Sequence, residues 1–384
     1  MKILVVTSDS EMGGVTTAGI NFCNELSRRD NDVYWLDLSL KYLCKDKLNK
    51  RVKIGKLTGR SCYWNLSQND IKKKGFVKKI SLVLLGVFKK IAVRAGFWYK
   101  IIFKTYTEFG SFDVAIAFRQ CAPCYSFVLN KVEAKRKIGF VHGELKGMGK
   151  IDSWQKHMKL FSKIAYVSDA VKEGFLYEYP ELSCNASTIY NMIDVEYIKQ
   201  QARADSLTFD RNKVNIVTVS RIENKHKSIN RIPTVCRRLK DACVSNFEWY
   251  IVGDGPDYEQ CVQQAKDLDV LDVLKFCGAK KNPYPYIAQS DFTVLPSKSE
   301  SFGLVVVESL ILGKPVVACE YPALKELIAD GVNGLIVGQG EEPLYQAISK
   351  LILDERMREQ LVANCLNYEY LNDKAYRQFL EAIE

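Results

Sequence analysis

Histidine is nearly absent, with three residues in 384, which argues against a histidine-based metal site. The twelve cysteines do not replace them. No metal-ligand spacing repeats, and the one close pair, Cys121 and Cys124, has no second pair to complete a zinc site, so free buried thiols are expected. No run of about eighteen uninterrupted apolar residues occurs, which argues against a membrane-spanning helix. The opening MKILVVTSDS carries only a short apolar run before acidic residues follow, unlike a secretory signal, and a cytoplasmic location is expected. Gly253-Asp254-Gly255 is a fragment of a dinucleotide fingerprint that lacks its third glycine, which argues against an NAD enzyme. No nucleic-acid recognition motif is present, so no nucleic-acid partner is expected.

What is present reads as globular: 47% hydrophobic and 26% charged residues in a chain long enough for two α/β domains. The net charge of +10 is concentrated. Residues 71–104 hold ten Lys or Arg and no acid, equal to the whole net charge. Within that segment Phe76, Val77, Ile80, Leu84, Val87, Phe88, Ile91 and Ala92 recur at helical spacing among the lysines, with Phe97, Trp98 and Tyr99 beyond. A lysine-edged amphipathic surface with aromatics suits the anionic inner leaflet, each basic side chain contributing about 1 kcal/mol at best. Core-packed helices with solvated lysines would give the same pattern.

Strand-like KILVVTS, the glycines Gly13 and Gly14, a helical TTAGINFCNELSRR and strand-like NDVYWLDL open a parallel doubly wound sheet. FDVAIAF, KIGFVHGE and KIAYVSDAV continue it as buried parallel strands. The pattern loosens after Tyr190-Asn191-Met192-Ile193-Asp194 and restarts at VNIVTVSRI, continuing through WYIVGDGPD, KFCGA, FTVLPS, PVVACE and GLIVG. We therefore expect an α/β protein with one Rossmann-like domain over 1–205, a second over 206–365, and a closing helical stretch, 366–384, that packs back on the first domain. The helical reading at the C-terminus runs from about Glu342 to Glu384, as one long helix or a broken one.

The densest motif is LPSKSESFGLVVVESLILGKPVVA, residues 295–318. A strand ends at Pro296, a polar loop holds Glu300, and Gly303 opens a helix that carries Glu308. The N–H groups of an opening helix turn form an anion site, so Ser301, Phe302, Gly303 and Leu304 are placed to meet phosphate. The helical rise to Glu308 is roughly 7.5 Å at 1.5 Å per residue, so the two carboxylates can bracket one extended ligand. Asp267-Leu268-Asp269 spells a metal-binding Asp-x-Asp but lies in a charged helical stretch and is read as surface charge.

This stretch resembles the signature of retaining GT-B glycosyltransferases of family four: two glutamates separated by seven residues, with Phe-Gly-Leu after the first and Glu-Ser-Leu-x-x-Gly-x-Pro-Val-Val from the second. The resemblance implies the GT-B architecture, two Rossmann-like domains facing a central cleft. VSRIENKHKSINRI resembles the segment whose arginine and lysine neutralise the donor diphosphate, here Arg221 and Lys227, with Lys225 as the alternative lysine. Gly253, Gly255 and Pro256 resemble the turn lining the nucleotide pocket. In the first half, Gly13 and Gly14 resemble the acceptor-side glycine loop, His142 stands where the family has a histidine near the sugar, and Asn191 lies in a hinge-like segment.

The resemblance implies sugar transfer from a nucleotide sugar, a UDP-sugar by expectation, with retained configuration and no metal or other cofactor. Glu300, Arg221, Lys227 and His142 would be the catalytic set and Glu308 a donor-binding residue. A lipid-linked saccharide acceptor at the inner face of the cell membrane, within capsule or O-antigen assembly, is the expected setting. The alternatives are a GT-B enzyme with a soluble acceptor and a non-catalytic protein that uses its basic face to bind membrane or nucleic acid.

Overall fold

The computed structural model describes residues 1–8, 13–42, 45–58, 61, 101–143, 155–204 and 207–384. Of the basic segment, only 101–104 fall within this set; its amphipathic pattern lies outside the described residues. Ile102 and Phe103 are buried in a core with Leu57, Phe127 and Tyr106.

The chain divides into two compact units, residues 1–193 with 372–384, and residues 194–371. The first holds a seven-stranded sheet. Its strands are β1 (Lys2–Thr7), β2 (Asp32–Asp37), β3 (Lys53–Ile54), β4 (Phe112–Ala117), β5 (Ala134–Val141), β6 (Lys163–Tyr166) and β7 (Ala186–Thr188), in the order β3-β2-β1-β4-β5-β6-β7. Every pairing is parallel. A parallel sheet needs both faces covered, so its central strands read as continuous apolar runs. Ile3 to Val6 of β1 are fully buried accordingly.

Helix α1 (Gly14–Arg28) returns the chain from β1 to β2, and α2 (Ala122–Lys131) from β4 to β5. Helix α3 (Asp169–Glu178) follows β6, its Ser168 cap accepting the N–H of Val171 at 3.1 Å.

The second unit is a six-stranded parallel sheet. Its strands are β8 (Val214–Val219), β9 (Phe247–Val252), β10 (Leu274–Gly278), β11 (Phe292–Leu295), β12 (Val316–Cys319) and β13 (Gly334–Val337), in the order β10-β9-β8-β11-β12-β13. Its helices are α4 (Val195–Gln201), α5 (Arg231–Asp241), α6 (Tyr258–Asp267), α7 (Tyr284–Gln289), α8 (Leu304–Ile311), α9 (Glu341–Leu353) and α10 (Glu355–Leu366). Trp249 of β9 is fully buried, and its indole N–H donates to Thr218 Oγ1 at 3.0 Å, so its one polar atom is satisfied.

The unit begins at Asp194, ahead of the 205/206 boundary read from the sequence, because α4 packs with α7 and α8. The C-terminal helical stretch is not one helix. Asp354 ends α9 and caps α10 by accepting the N–H of Met357 at 2.9 Å, and a further break precedes α11 (Asn372–Ile383).

Helix α11 belongs to the first unit. Phe379 stacks edge-on against Phe22 of α1 with ring centroids 5.7 Å apart, and Asp373 pairs with Arg29 at 2.6 Å. At its start the Asn372 side chain accepts the Ile193 N–H at 2.9 Å and donates to the Ile193 carbonyl at 2.7 Å.

Candidate active site

In each sheet the strand order reverses beside the first strand, between β1 and β4 and between β8 and β11. Loops leaving such neighbours diverge to opposite faces and open a crevice at the carboxyl ends of the strands. In the second unit these loops are residues 220–230 and 296–303, which contain Arg221, Lys225, Lys227, Glu300 and Gly303.

The two loops are joined by polar contacts. Lys227 Nζ donates to Glu300 Oε1 at 2.5 Å, and Ser297 Oγ donates to the same oxygen at 3.0 Å. The Lys298 N–H donates to the His226 carbonyl at 2.7 Å, and His226 Nδ1 lies 3.3 Å from Ser299 Oγ. Both members of the ion pair are largely buried, Lys227 at 28% and Glu300 at 16% side-chain exposure. An ammonium has three donors and Glu300 takes one, which leaves two for an incoming anion.

The winding of the first loop decides which lysine turns inward. The Glu223 carboxylate accepts the backbone N–H groups of Lys225 and His226 at 3.1 and 3.3 Å, and the Glu223 carbonyl accepts that of Lys227 at 3.0 Å. Asn224 closes the turn by accepting the Asn230 N–H at 3.0 Å. Lys225 is left exposed and Lys227 meets Glu300. Arg221 is exposed and has no ion-pair partner among the described residues.

Gly253 and Gly255 hold the neighbouring turn against this loop. A Cβ on Gly253 would lie 1.8 Å from the Ser220 carbonyl oxygen, and one on Gly255 would lie 2.3 Å from that of Ile222. Only glycine allows the two backbones this approach, which continues as hydrogen bonds from Ser220 to Val252 at 3.1 Å and from Ile222 to Asp254 at 3.0 Å. Pro256 is exposed in the same turn, ahead of α6.

Gly303 is the N-cap of α8 at φ +100°, a left-handed conformation, and the first turn carries no acid and no side-chain cap. The positive end of α8 therefore has no side-chain anion of its own. Ser301 is half-buried beside it, Phe302 is buried, and Leu304 begins the helix. A Cβ on Gly303 would also meet the buried Tyr321 hydroxyl at 2.3 Å, while that hydroxyl donates to the Phe302 carbonyl at 3.4 Å. Gly303→Ala should thus destabilise the protein by about 2–4 kcal/mol, combining left-handed strain with displacement of Tyr321, and a urea-unfolding series checks it.

Glu308, the fifth residue of α8, is 6% exposed, with the Tyr284 hydroxyl 3.4 Å from its Oε1. Burial, and then the Glu308 charge, push the Tyr284 phenol well above its usual pKa. Asp267 and Asp269 stand at the end of α6, where Gln263 donates to the first at 2.8 Å and Lys240 faces the second at 3.8 Å. Among the described residues no group of three or more His, Cys, Asp or Glu is gathered where it could hold a metal ion.

Gly13, Gly14, His142 and Asn191 belong to the first unit. Gly13 is the extended N-cap of α1, a Cβ there would meet nothing within 4 Å, and Gly14 opens the helix. Packing thus does not demand glycine at 13. Asn191 is buried.

His142 follows β5, with its ring against Phe118 and Phe140 at centroid distances of 4.5 and 5.7 Å. Its Nε2 is buried without a hydrogen-bond partner among the described residues. Burial, partly offset by a hydrogen bond to the Phe118 backbone, lowers its pKa from 6.5 to about 3. The ring is therefore neutral at any working pH and can exchange hydrogen bonds without lending charge.

The depressed pKa makes unfolding bind a proton below the unfolded value. His142 contributes stability that is complete above pH 6.5 and is lost as pH falls towards about 3. The melting temperature of His142→Phe should fall less between pH 7 and pH 4, both inside or bordering that window, than the wild-type value does; equal slopes would exclude the effect.

Both sheets have the order and switch point of a Rossmann-like unit, and such a pair is the GT-B architecture. HepE from Anabaena, solved in complex with UDP, matches 100% of this chain and 97% of that one with a TM-score of 0.66 at 19% identity. A TarM mutant from S. aureus, solved with Fondaparinux, alpha-GlcNAc-glycerol and UDP, matches 100% and 99% with a TM-score of 0.70 at 14% identity. The chain has the GT-B fold. Residues 199–367, within the second unit, match the family model for glycosyl transferases group 1.

Among curated proteins, the N-acetylgalactosamine-N,N'-diacetylbacillosaminyl-diphospho-undecaprenol 4-alpha-N-acetylgalactosaminyltransferase of Campylobacter jejuni is 28% identical over 173 residues, 44% of this chain and 45% of that protein. The chain spans about half the length of the curated relatives it matches.

Proposed function

We propose that this protein is a retaining glycosyltransferase that moves a sugar from a UDP-sugar to a lipid-linked saccharide in the assembly of a cell-surface polysaccharide. The observation that carries the reading is the Lys227–Glu300 pair at the switch point between β8 and β11, beside the open first turn of α8. A departing UDP gains negative charge as the glycosidic bond breaks. Arg221, the two remaining N–H donors of Lys227 and the α8 N-terminus stabilise that charge, so no metal is required. Glu300 grips the sugar side of the donor and Glu308 the ribose side. The neutral His142 offers a hydrogen bond to the transferred sugar.

UDP is favoured as the leaving nucleotide because both solved relatives described above hold it. A diphospho-undecaprenol acceptor is the lipid-linked kind named for the Campylobacter enzyme. The basic segment 71–104 would hold the protein at the inner face of the cell membrane. No helix among the described residues is long and apolar enough to cross a membrane.

A panel of UDP- and other nucleotide sugars tests the reading, scored by thermal stabilisation and by release of free nucleotide. A ligand at 100 times its Kd adds about 2.7 kcal/mol of stability. At least one nucleotide sugar should raise the melting temperature and turn over. A panel with neither response contradicts the proposal.

A further inference from the structure

Arg231 occupies a place that helix physics disfavours. It is the first residue of α5, where the positive end of the helix repels a cation, and the first turn holds no acid to offset it. It is also only 9% exposed and has no acidic partner among the described residues. Burying an unpaired guanidinium is costly unless its donors are well used.

Its donors join the carboxyl edges of three adjacent strands. Nη1 lies 3.0 Å from the Pro296 carbonyl after β11, 3.5 Å from Cys319 Sγ at the end of β12, and 3.0 Å from Gln339 Oε1 after β13. Gln339 extends the join, its amide nitrogen donating to the Ser297 carbonyl at 3.2 Å and the Glu320 carbonyl at 2.7 Å. Pro296 and Ser297 begin the loop that carries Glu300, and the Ser297 side chain holds Glu300 Oε1. Nη1 has two N–H groups, which serve the two oxygens at 3.0 Å while the sulfur at 3.5 Å is a weaker contact, and a charged donor makes each oxygen bond stronger than a neutral amide would.

We propose that Arg231, acting with Gln339, is a positioning residue that sets the 296–300 loop and thereby fixes Glu300 and its Lys227 partner against the sugar end of the donor. The inference rests on the glycosyltransferase reading and deepens it. Arg231 itself does not touch the donor.

The test uses Arg231→Gln, Arg231→Lys and Gln339→Ala, with kcat and KM for the accepted nucleotide sugar and the stoichiometry of UDP binding by titration calorimetry. Loss of positioning lowers kcat of Arg231→Gln by about 10- to 100-fold, as a misplacement near 1 Å would. UDP stoichiometry stays at the wild-type value, which a merely structural role that depleted folded protein would not allow. Arg231→Lys recovers part of the loss.

Gln339→Ala removes an exposed side chain, so it folds even if Arg231→Gln does not, and it lowers kcat in the same direction by about three- to tenfold. The double variant is no slower than Arg231→Gln, because both side chains serve one network. Wild-type kcat in Gln339→Ala and Arg231→Gln, or a loss of kcat matched by an equal loss of UDP stoichiometry, overturns the positioning role while leaving the enzyme reading intact. Wild-type protein that neither binds UDP nor turns over any nucleotide sugar overturns both.

Discussion

Lys227→Ala is expected to lower kcat by about 10²- to 10³-fold while changing the affinity for the intact donor by no more than about threefold. The reason is the timing of charge. In the bound donor the diphosphate is esterified at both ends, whereas in the transition state the bond to the sugar is breaking and its electrons move onto the β-phosphate. A cation aimed there stabilises the second state more than the first, and only that difference accelerates the reaction.

The structure adds a reason for the size of the effect. Lys227 is largely buried and already oriented by Glu300, so little reorganisation is needed when charge develops. Lys227→Arg should recover part of the rate, since the charge is kept but the point-like ammonium becomes a planar fork. Single-turnover kinetics with donor titration separate the two quantities. A kcat within about twofold of wild type would remove Lys227 from the mechanism.

Glu308→Gln should act in the opposite manner, raising the Kd of UDP and of the UDP-sugar together by about 10- to 100-fold and leaving kcat at saturation nearly unchanged. A carboxylate that accepts ligand hydroxyls contributes about 1.5–3 kcal/mol per hydrogen bond, and a ribose is held alike before and after transfer, so the loss is uniform. Gln keeps the volume and can still receive the Tyr284 hydroxyl, which spares the packing of the fifth position of α8. Isothermal titration with both ligands measures it; a large drop in kcat at unchanged Kd would place Glu308 in the chemistry instead.

The long parallel strands were legible because burial on both faces leaves an uninterrupted apolar run, as in KILVVT and VNIVTV. The edge strands β10 and β13 were still readable as KFCGA and GLIVG, but those of the first sheet carry no such signal. β3 is two residues and β7 three, and their apolar content is too small to separate from a loop. A break in the C-terminal helical stretch was open from the sequence, but not its position: Asp354 both stops α9 and caps α10, and a single capping acid within an otherwise helical composition reads as surface charge.

Glu300, Gly303 and Glu308 lie within one short motif, and the flanking sequence that resembles the family signature, more than the spacing of the two glutamates, made them candidates. Lys227 was preferred over Lys225 on resemblance; that it is Lys227 which pairs with Glu300 follows from the turn built by Glu223 and Asn224, whose backbone hydrogen bonds no spacing encodes. Ser297, Tyr284, Arg231 and Gln339 were not singled out. Ser297 sat inside the quoted motif and its closeness to Glu300 was an available sign. Arg231 and Gln339 are brought together only because β8, β11, β12 and β13 stand side by side in the sheet, an order that their sequence separation conceals.

The proposed function requires the second unit to bind the phosphates of a nucleoside diphosphate at the carboxyl ends of β8 and β11. Calorimetric titration of wild-type protein and Lys227→Ala with UDP and with UMP tests it most directly. Wild type should bind UDP at least about tenfold more tightly than UMP, and the preference should shrink in Lys227→Ala, since free UDP carries the charge that the leaving group acquires. Equal affinities for UDP and UMP in the wild type, or a preference that survives the substitution intact, would contradict it.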